Sequence, residues 1–128
     1  MQLVSITEQM KIGILVSAAH QREQEIFSYQ INIDNYTKML ELLPTGNCPE
    51  SISGLVGMDI NSIPLDVSDG DVKLVSDYQF RNKLTLNLRS ERIEQAKAVM
   101  VLQVLKSQIG DGCDELIKQF VENNNVPT

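Results

Sequence analysis

The stretch "YQINIDNYTKMLELL", residues 29–43, places its apolar side chains at alternating spacings of four and three residues. Extended backwards to residue 12, the alternation covers ten positions, which we call the seam: Ile12, Leu15, Ala19, Arg22, Ile26, Tyr29, Ile33, Tyr36, Leu40 and Leu43. All but Arg22 are apolar or aromatic. Such an alternation is typical of one long helix with a coiled-coil-like stripe, and we predict it over residues 6–43, capped by Ser5 or Thr7.

The predicted helix is long for the size of the chain. At 1.5 Å per residue it extends for about 57 Å, whereas a compact domain of 128 residues has a diameter of about 36 Å. The protein is then elongated, or the helix breaks, or a second copy covers the overhang. We predict the last of these, a homodimer that associates through the seam.

Arg22 is the charged residue of the seam, and a charge among apolar residues costs stability unless it is paired or reaches water. In an antiparallel pair of helices, Glu23 or Glu25 of the second copy would meet it and fix the register. Alternatively, its stem lies along the seam and its guanidinium reaches water. Phe27 and Ile31 form a second apolar site on the opposite side of the helix, which favours a bundle over a two-stranded coil.

A change of period follows in the middle of the chain. Apolar residues alternate with polar ones at Ile63, Leu65 and Val67, and then at even positions: Val72, Leu74, Tyr78, Phe80, Leu84, Leu86 and Leu88. This period of two, with turn residues in "SDGD" (68–71) and a second corner at "RNK" (81–83), predicts an antiparallel β-meander over residues 63–88. Its strands are expected at 63–67, 72–80 and 84–88.

Helical periodicity then returns. Ser90 is placed to cap a helix over residues 91–109, and Gly110 is placed to end it. The segment "AVMVLQVL", residues 98–105, is apolar on most sides and is predicted to be the most buried. A short helix over residues 113–122 follows, and the tail beyond it is expected to fray into solvent.

Between the first helix and the meander, residues 44–62 are rich in proline, glycine and small polar residues, so we predict a loop with at most one helical turn. In chain order the elements predict an α+β fold: a long N-terminal helix, a small antiparallel β-meander and two C-terminal helices packed with the first. We expect a single domain over residues 1–128.

Composition limits the class of protein. The net charge of −6 disfavours the binding of nucleic acid or an anionic membrane over the whole surface. Cys48 and Cys113 belong to no metal-ligand or CxxC spacing, so we expect two reduced thiols in a cytoplasmic protein. The apolar run "IGILVSAA", residues 12–19, imitates a secretion signal, but acidic Glu8 precedes it and the helical period continues through it, so we predict helix.

Few residues are suited to catalysis or metal binding. His20 is followed one turn later by a glutamate, but di-metal bundles need a second histidine and further carboxylates. Cys113 has acidic neighbours, which disfavour a reactive thiolate. Asp66, Asp69 and Asp71 lack the spacing of an EF-hand and fit a hairpin turn. We therefore expect no catalytic residue, no metal and no cofactor.

Five basic residues are concentrated in one segment: Arg81, Lys83, Arg89, Arg92 and Lys97. With Glu91 and Glu94 they give residues 81–97 a net charge of +3, which leaves −9 on the rest of the chain. A hairpin corner next to a helix start could hold a phosphate or an acidic partner. The alternative is that these charges form the solvated side of a strand and a helix.

The leading functional hypothesis is a non-enzymatic protein–protein interaction module. Its partners would be a second copy of itself and another protein, and it would act as an oligomeric adaptor, inhibitor or assembly factor without contact to a membrane. One alternative is a small enzyme with a site at the dimer interface. Another is a nucleic-acid-associated factor that uses the 81–97 segment.

Overall fold

The computed structural model describes residues 6–124, and every regular element in that range is a helix. In chain order these are α1 (Ile6–Glu41), α2 (Glu50–Val56), a 3-10 turn (Ile60–Ser62), α3 (Asp69–Ile109) and α4 (Cys113–Asn124). The prediction of an α+β fold is therefore wrong, because residues 6–124 contain no strand. The predicted cap at Ser5 lies outside the described range, as do residues 125–128 of the tail predicted to fray. The prediction is wrong for Asn123 and Asn124, which belong to α4.

Helix α1 is continuous over 36 residues and ends two residues before the predicted end. Its last turn is closed by short-range hydrogen bonds, from the Leu42 N–H to the Met39 carbonyl (3.1 Å) and from the Leu43 N–H to the Leu40 carbonyl (3.2 Å). Pro44 follows and has no N–H with which to continue the helix. Thr7 lies inside the helix rather than at its cap.

Helix α3, of 41 residues, occupies most of the region predicted as a β-meander. The buried side chains of its first half form two pairs at helical spacings of three and four, Val75 with Tyr78 and Leu84 with Leu88. Phe80 and Leu86, also at even positions, are exposed instead. The alternation read from the sequence therefore combined residues from different faces of one helix.

Turn chemistry explains why the helix is continuous. No glycine or proline occurs between Gly70 and Gly110, so the predicted corner at 81–83 has only Asn82 among the residues that favour turns. Ser68 caps α3, since its Oγ accepts a hydrogen bond from the Asp71 N–H at 3.2 Å, and "SDGD" is thus a helix start rather than a hairpin turn. Ser90, predicted as a cap, lies inside α3.

The first predicted strand, residues 63–67, is also wrong. It lies in a non-helical connection that follows the 3-10 turn, and the Val67 N–H donates to the Pro64 carbonyl at 3.2 Å, which closes a turn. The predicted end of the later helix agrees with the structure. Gly110 adopts a φ of 90°, which favours glycine, and its N–H donates to the Lys106 carbonyl at 3.0 Å.

The chain divides into two compact units. We call residues 31–91 the central unit, and we call residues up to 30 together with those from 92 onwards the terminal unit. The core of the central unit is formed by Ile52, Ile63, Val75 and Tyr78. In that unit α2 and the connections on either side of it fold onto the first half of α3.

The terminal unit is a bundle of three helical segments, from α1, α3 and α4. Its buried cluster consists of Val16, Ala19 and Ile117, and four partly buried side chains pack around it: Leu102, Leu105, Ile109 and Phe120. The expectation that residues 98–105 are the most buried is wrong. Ala98 is buried, but Met100 and Val104 of the same segment are 65% and 57% exposed.

Candidate interaction surface

Most of the seam is buried or half-buried within the chain. In the terminal unit Ala19 is buried, Ile12 is exposed, and the other members are half-buried: Leu15, Arg22, Ile26 and Tyr29. In the central unit Ile33 is buried and the remaining members are half-buried: Tyr36, Leu40 and Leu43. Part of the seam in the terminal unit packs on the chain's own helices, because Ala19 lies in a cluster with Ile117 of α4.

Arg22, predicted to meet an acidic residue of a second copy or to reach water, pairs with its own helix. Its Nη1 lies 2.8 Å from both carboxylate oxygens of Glu25, one turn further on. Its Nε is buried and has no hydrogen-bond partner. The guanidinium is thus incompletely satisfied by the contacts within the chain.

A second ion pair lies across from the first, on α3. The Lys97 Nζ is 3.2 Å from a carboxylate oxygen of Glu94. Both pairs line one groove of about 370 Å³, which is also lined by Tyr29, Ala98 and Val101. All of these residues belong to α1 and α3 of the terminal unit, and we call this groove and its rim the open face.

Helix α4 lies on a different side of α1 from the open face. The ring of His20 is 5.6 Å from that of Phe120 in α4. His20 and Glu25 are five residues apart, which places them about 140° apart around the helix at 3.6 residues per turn. The open face is therefore left uncovered by α4.

Exposed apolar residues of α3 adjoin the open face, and the sequence prediction missed them. They are Ile93, Met100, Val101 and Val104. The available signal was a spacing of seven and then four between Ile93, Met100 and Val104, which places all three on one side of a helix. The expectation that residues 98–105 form the centre of the core concealed it.

The second apolar site predicted on α1 is exposed in the single chain. Phe27 and Ile31, one turn apart, are 68% and 45% exposed. Met10 and Ile14 nearer the N-terminus are exposed as well. Apolar side chains are thus presented to solvent by α1 as well as by α3.

The five basic residues of the 81–97 segment do not share a face. All lie on α3, but at about 100° per residue they point in different directions; Arg81 and Lys83 alone differ by about 200°. Arg81 is also occupied, since its Nη1 donates to the carbonyls of Pro44 (3.1 Å) and Gly46 (2.6 Å). Lys97 belongs to the open face.

Residues considered for catalysis or metal binding are not gathered into a site. Within residues 6–124, no group of three His, Cys, Asp or Glu side chains is arranged to hold a metal ion. Asp69 and Asp71 lie in the first turn of α3, and Cys113 begins α4 as a free, half-buried thiol. Carboxylates in a first turn interact favourably with the helix dipole.

One polar contact joins α3 to α4. The Lys106 Nζ lies 3.0 Å from the Asp114 carboxylate. The hydrogen bond to Asp114 raises the pKa of Lys106 above its ordinary value, and partial burial of the ammonium opposes that rise. This pair helps to hold α4 on the side away from the open face.

Among the helices of the described range, none combines the length and hydrophobicity that crossing a bilayer requires. Comparison with known proteins found no matching family model, no similar curated protein and no similar solved structure. The candidate surface is therefore defined by its own geometry.

Proposed function

We propose that this chain is a non-enzymatic protein–protein interaction module that binds a second copy of itself and serves as an adaptor, inhibitor or assembly factor in the cytoplasm. The observation that supports this most is the exposed apolar side of α3 in the terminal unit, formed by Ile93, Met100, Val101 and Val104. Grouped exposed apolar side chains beside polar ones mark interaction surfaces more often than single ones do.

The energetic argument is that these residues gain by being covered. Burying a fully exposed Val or Met side chain contributes roughly 1.5–3 kcal/mol, and these residues, which are 41–65% exposed, would gain the corresponding part of it. In a symmetric dimer each residue is counted twice, because both copies use the same surface. Part of that gain offsets the entropy lost on association.

A cytoplasmic location agrees with the free state of both cysteines, Cys48 and Cys113, since paired cysteines are the rule in oxidising compartments. No observation on the described residues favours the enzyme or the nucleic-acid alternative, so we propose neither.

The test is the oligomeric state of the purified chain, measured by sedimentation equilibrium over a range of concentrations. We expect a dimer that dissociates on dilution, and a monomer for the double variant Val101→Glu, Val104→Glu. The matched control is Gln119→Glu with Asn123→Glu, two exposed positions of α4, which should remain dimeric. A wild-type chain that stays monomeric up to about 1 mM, where even 4 kcal/mol of association would be visible, would contradict the proposal.

A further inference from the structure

We infer that the second copy docks on the open face with its twofold axis parallel to α1 and α3, so that Glu25 of each copy meets Lys97 of the other. This inference rests on the proposed function and adds the surface and the geometry. It makes the terminal units of two chains into one bundle around a shared interface.

Residues of α1 and α3 that lie side by side, at the same height along the two helices, are here called level. Gln95 of α3 donates to the Ile26 carbonyl at 3.2 Å and to Gln30 Oε1 at 2.9 Å, so Gln95 lies level with residues 26–30. Further along α3, Leu105 and Ile109 pack against the cluster that contains Val16 and Ala19. The two segments therefore run antiparallel, and level residues have numbers that add up to about 123.

This rule applies to the open face. Lys97 lies level with residue 26, and so beside Glu25, while Glu94 lies level with Tyr29. Val101 lies level with Arg22. In space each helix thus presents a base followed by an acid, and the base of α3, Lys97, is level with the acid of α1, Glu25.

The next step is symmetry. A twofold axis parallel to the helices places α1 of one copy over α3 of the other at the same level. Glu25 then faces Lys97 of the second copy, and Lys97 faces Glu25 of the second copy. Tyr29 is placed to donate its hydroxyl hydrogen to Glu94 of the second copy, which makes four polar contacts in all.

The other face-to-face arrangement has its axis perpendicular to the helices and lays α1 on α1. When this axis passes midway between Arg22 and Glu25, Arg22 of one copy faces Glu25 of the second copy. It then leaves Lys97 and Glu94 opposite residues of α3 that carry no complementary charge. Charge complementarity therefore favours the parallel axis.

The pairs within the chain do not prevent this exchange. Both join residues three apart on one helix, and the side chains of Arg22, Glu25, Glu94 and Lys97 are between 38% and 66% exposed. Exposed pairs of this kind are held weakly, whereas a charge pair removed from water at an interface couples more strongly. Val101 supplies apolar contact beside the charges.

The test uses two charge reversals, Glu25→Lys and Lys97→Glu. Alone, each variant places like charges together twice in the symmetric dimer, so we expect its dimer dissociation constant to rise on the order of 10- to 100-fold. Mixed in equal amounts, the two variants form a heterodimer in which both pairs are opposite in charge again. We expect sedimentation of the mixture to recover dimer close to the wild-type level.

Controls are available on α4, away from the open face. Lys118→Glu and Glu122→Lys reverse exposed charges of the same kinds and should leave the dissociation constant within about threefold of wild type. Circular dichroism establishes that each variant is folded. Should a reversal fail to fold, Glu25→Gln and Lys97→Gln replace it in a double-mutant cycle, where coupling between them supports the inference and additivity overturns it.

The outcomes separate the two proposals. A wild-type monomer contradicts the proposed function itself. A wild-type dimer that both reversals leave intact preserves the proposed function and overturns the docking surface. A dimer broken by Glu25→Lys but restored by adding Arg22→Glu, and not by mixing with Lys97→Glu, overturns the parallel axis in favour of the perpendicular one.

Discussion

Two arginines of this chain, one in each unit, are used in opposite ways. In the central unit Arg81 donates to the backbone carbonyls of Pro44 and Gly46 and lies 4.7 Å over the ring of Tyr78. In the terminal unit Arg22 pairs with an acidic side chain on its own helix and keeps an unpartnered Nε. The first arginine holds a connection in place, whereas the second makes a pair within one helix and leaves one of its nitrogens without a partner.

The cores of the two units also differ, in the size of the side chains that they bury completely. The largest fully buried side chains, Ile52 and Val75, both belong to the central unit. At the centre of the terminal unit the fully buried residue is the small Ala19, and apolar side chains of α3 remain in solvent. The central unit thus buries larger side chains completely than the terminal unit does.

The largest effect that would test this comparison comes from Ile52, which is 1% exposed on the short helix α2. Ile52→Ala should lower the free energy of unfolding by about 2–4 kcal/mol, since it removes buried methylene groups and leaves a cavity. Urea denaturation measures the loss, with Ser51→Ala on the exposed side of α2 as control. A loss below about 1 kcal/mol would mean that the central unit is not tightly packed.

A smaller effect is expected at Arg81. Arg81→Met keeps an apolar stem but removes the hydrogen bonds to two carbonyls, and should cost about 1–2 kcal/mol. Hydrogen exchange should quicken at amides of residues 45–48 more than in α1. Arg89→Met, an exposed position of the same helix, should stay within about 0.5 kcal/mol of wild type. Equal effects at both positions would remove the structural role given to Arg81.

The two long helices show what the sequence does and does not determine. Helix α1 followed from the sustained three–four alternation, because that signal is local and repeated over residues 12–43. Helix α3 was mistaken for strands because Phe80 and Leu86, exposed in the structure, were counted with buried residues of the same parity. The absence of glycine and proline between residues 70 and 110 was the stronger evidence and favoured one helix.

The open face could not be predicted from the sequence, for a different reason. Glu25 and Lys97 are separated by most of the chain, and only the level of α3 against α1 brings them to one groove. The position of α3 along α1 is set by packing of the terminal unit and by the contacts of Gln95 with Ile26 and Gln30. No local sequence pattern predicts those contacts. The seam was visible, but which side of it the chain itself would cover was not.

The stability loss expected on replacing Arg22 is much smaller than that expected on replacing Arg81. Arg22→Met removes a pair between residues three apart on one helix, which is worth about 0.5 kcal/mol or less, and it also removes a buried unpartnered Nε. We expect the free energy of unfolding of the monomer to change by less than about 0.5 kcal/mol in urea denaturation at low protein concentration. A loss as large as that of Arg81→Met would show that both units use their arginines structurally.

A similarly small effect concerns the Lys106–Asp114 contact that holds α4 in the terminal unit. Because the pKa of Lys106 is raised in the folded chain, its contribution to stability is present below the ordinary lysine value of 10.5 and is lost as the pH rises through the folded value. The Asp114 side chain is 82% exposed, so the contribution is less than about 1 kcal/mol. Urea denaturation of wild type and Asp114→Asn should therefore differ slightly at pH 8 and converge in strongly alkaline solution, where Lys106 is neutral in both. The result is the difference between the two curves. A difference that persists unchanged above the folded pKa of Lys106 would mean that Asp114 stabilises α4 through something other than the Lys106 ammonium.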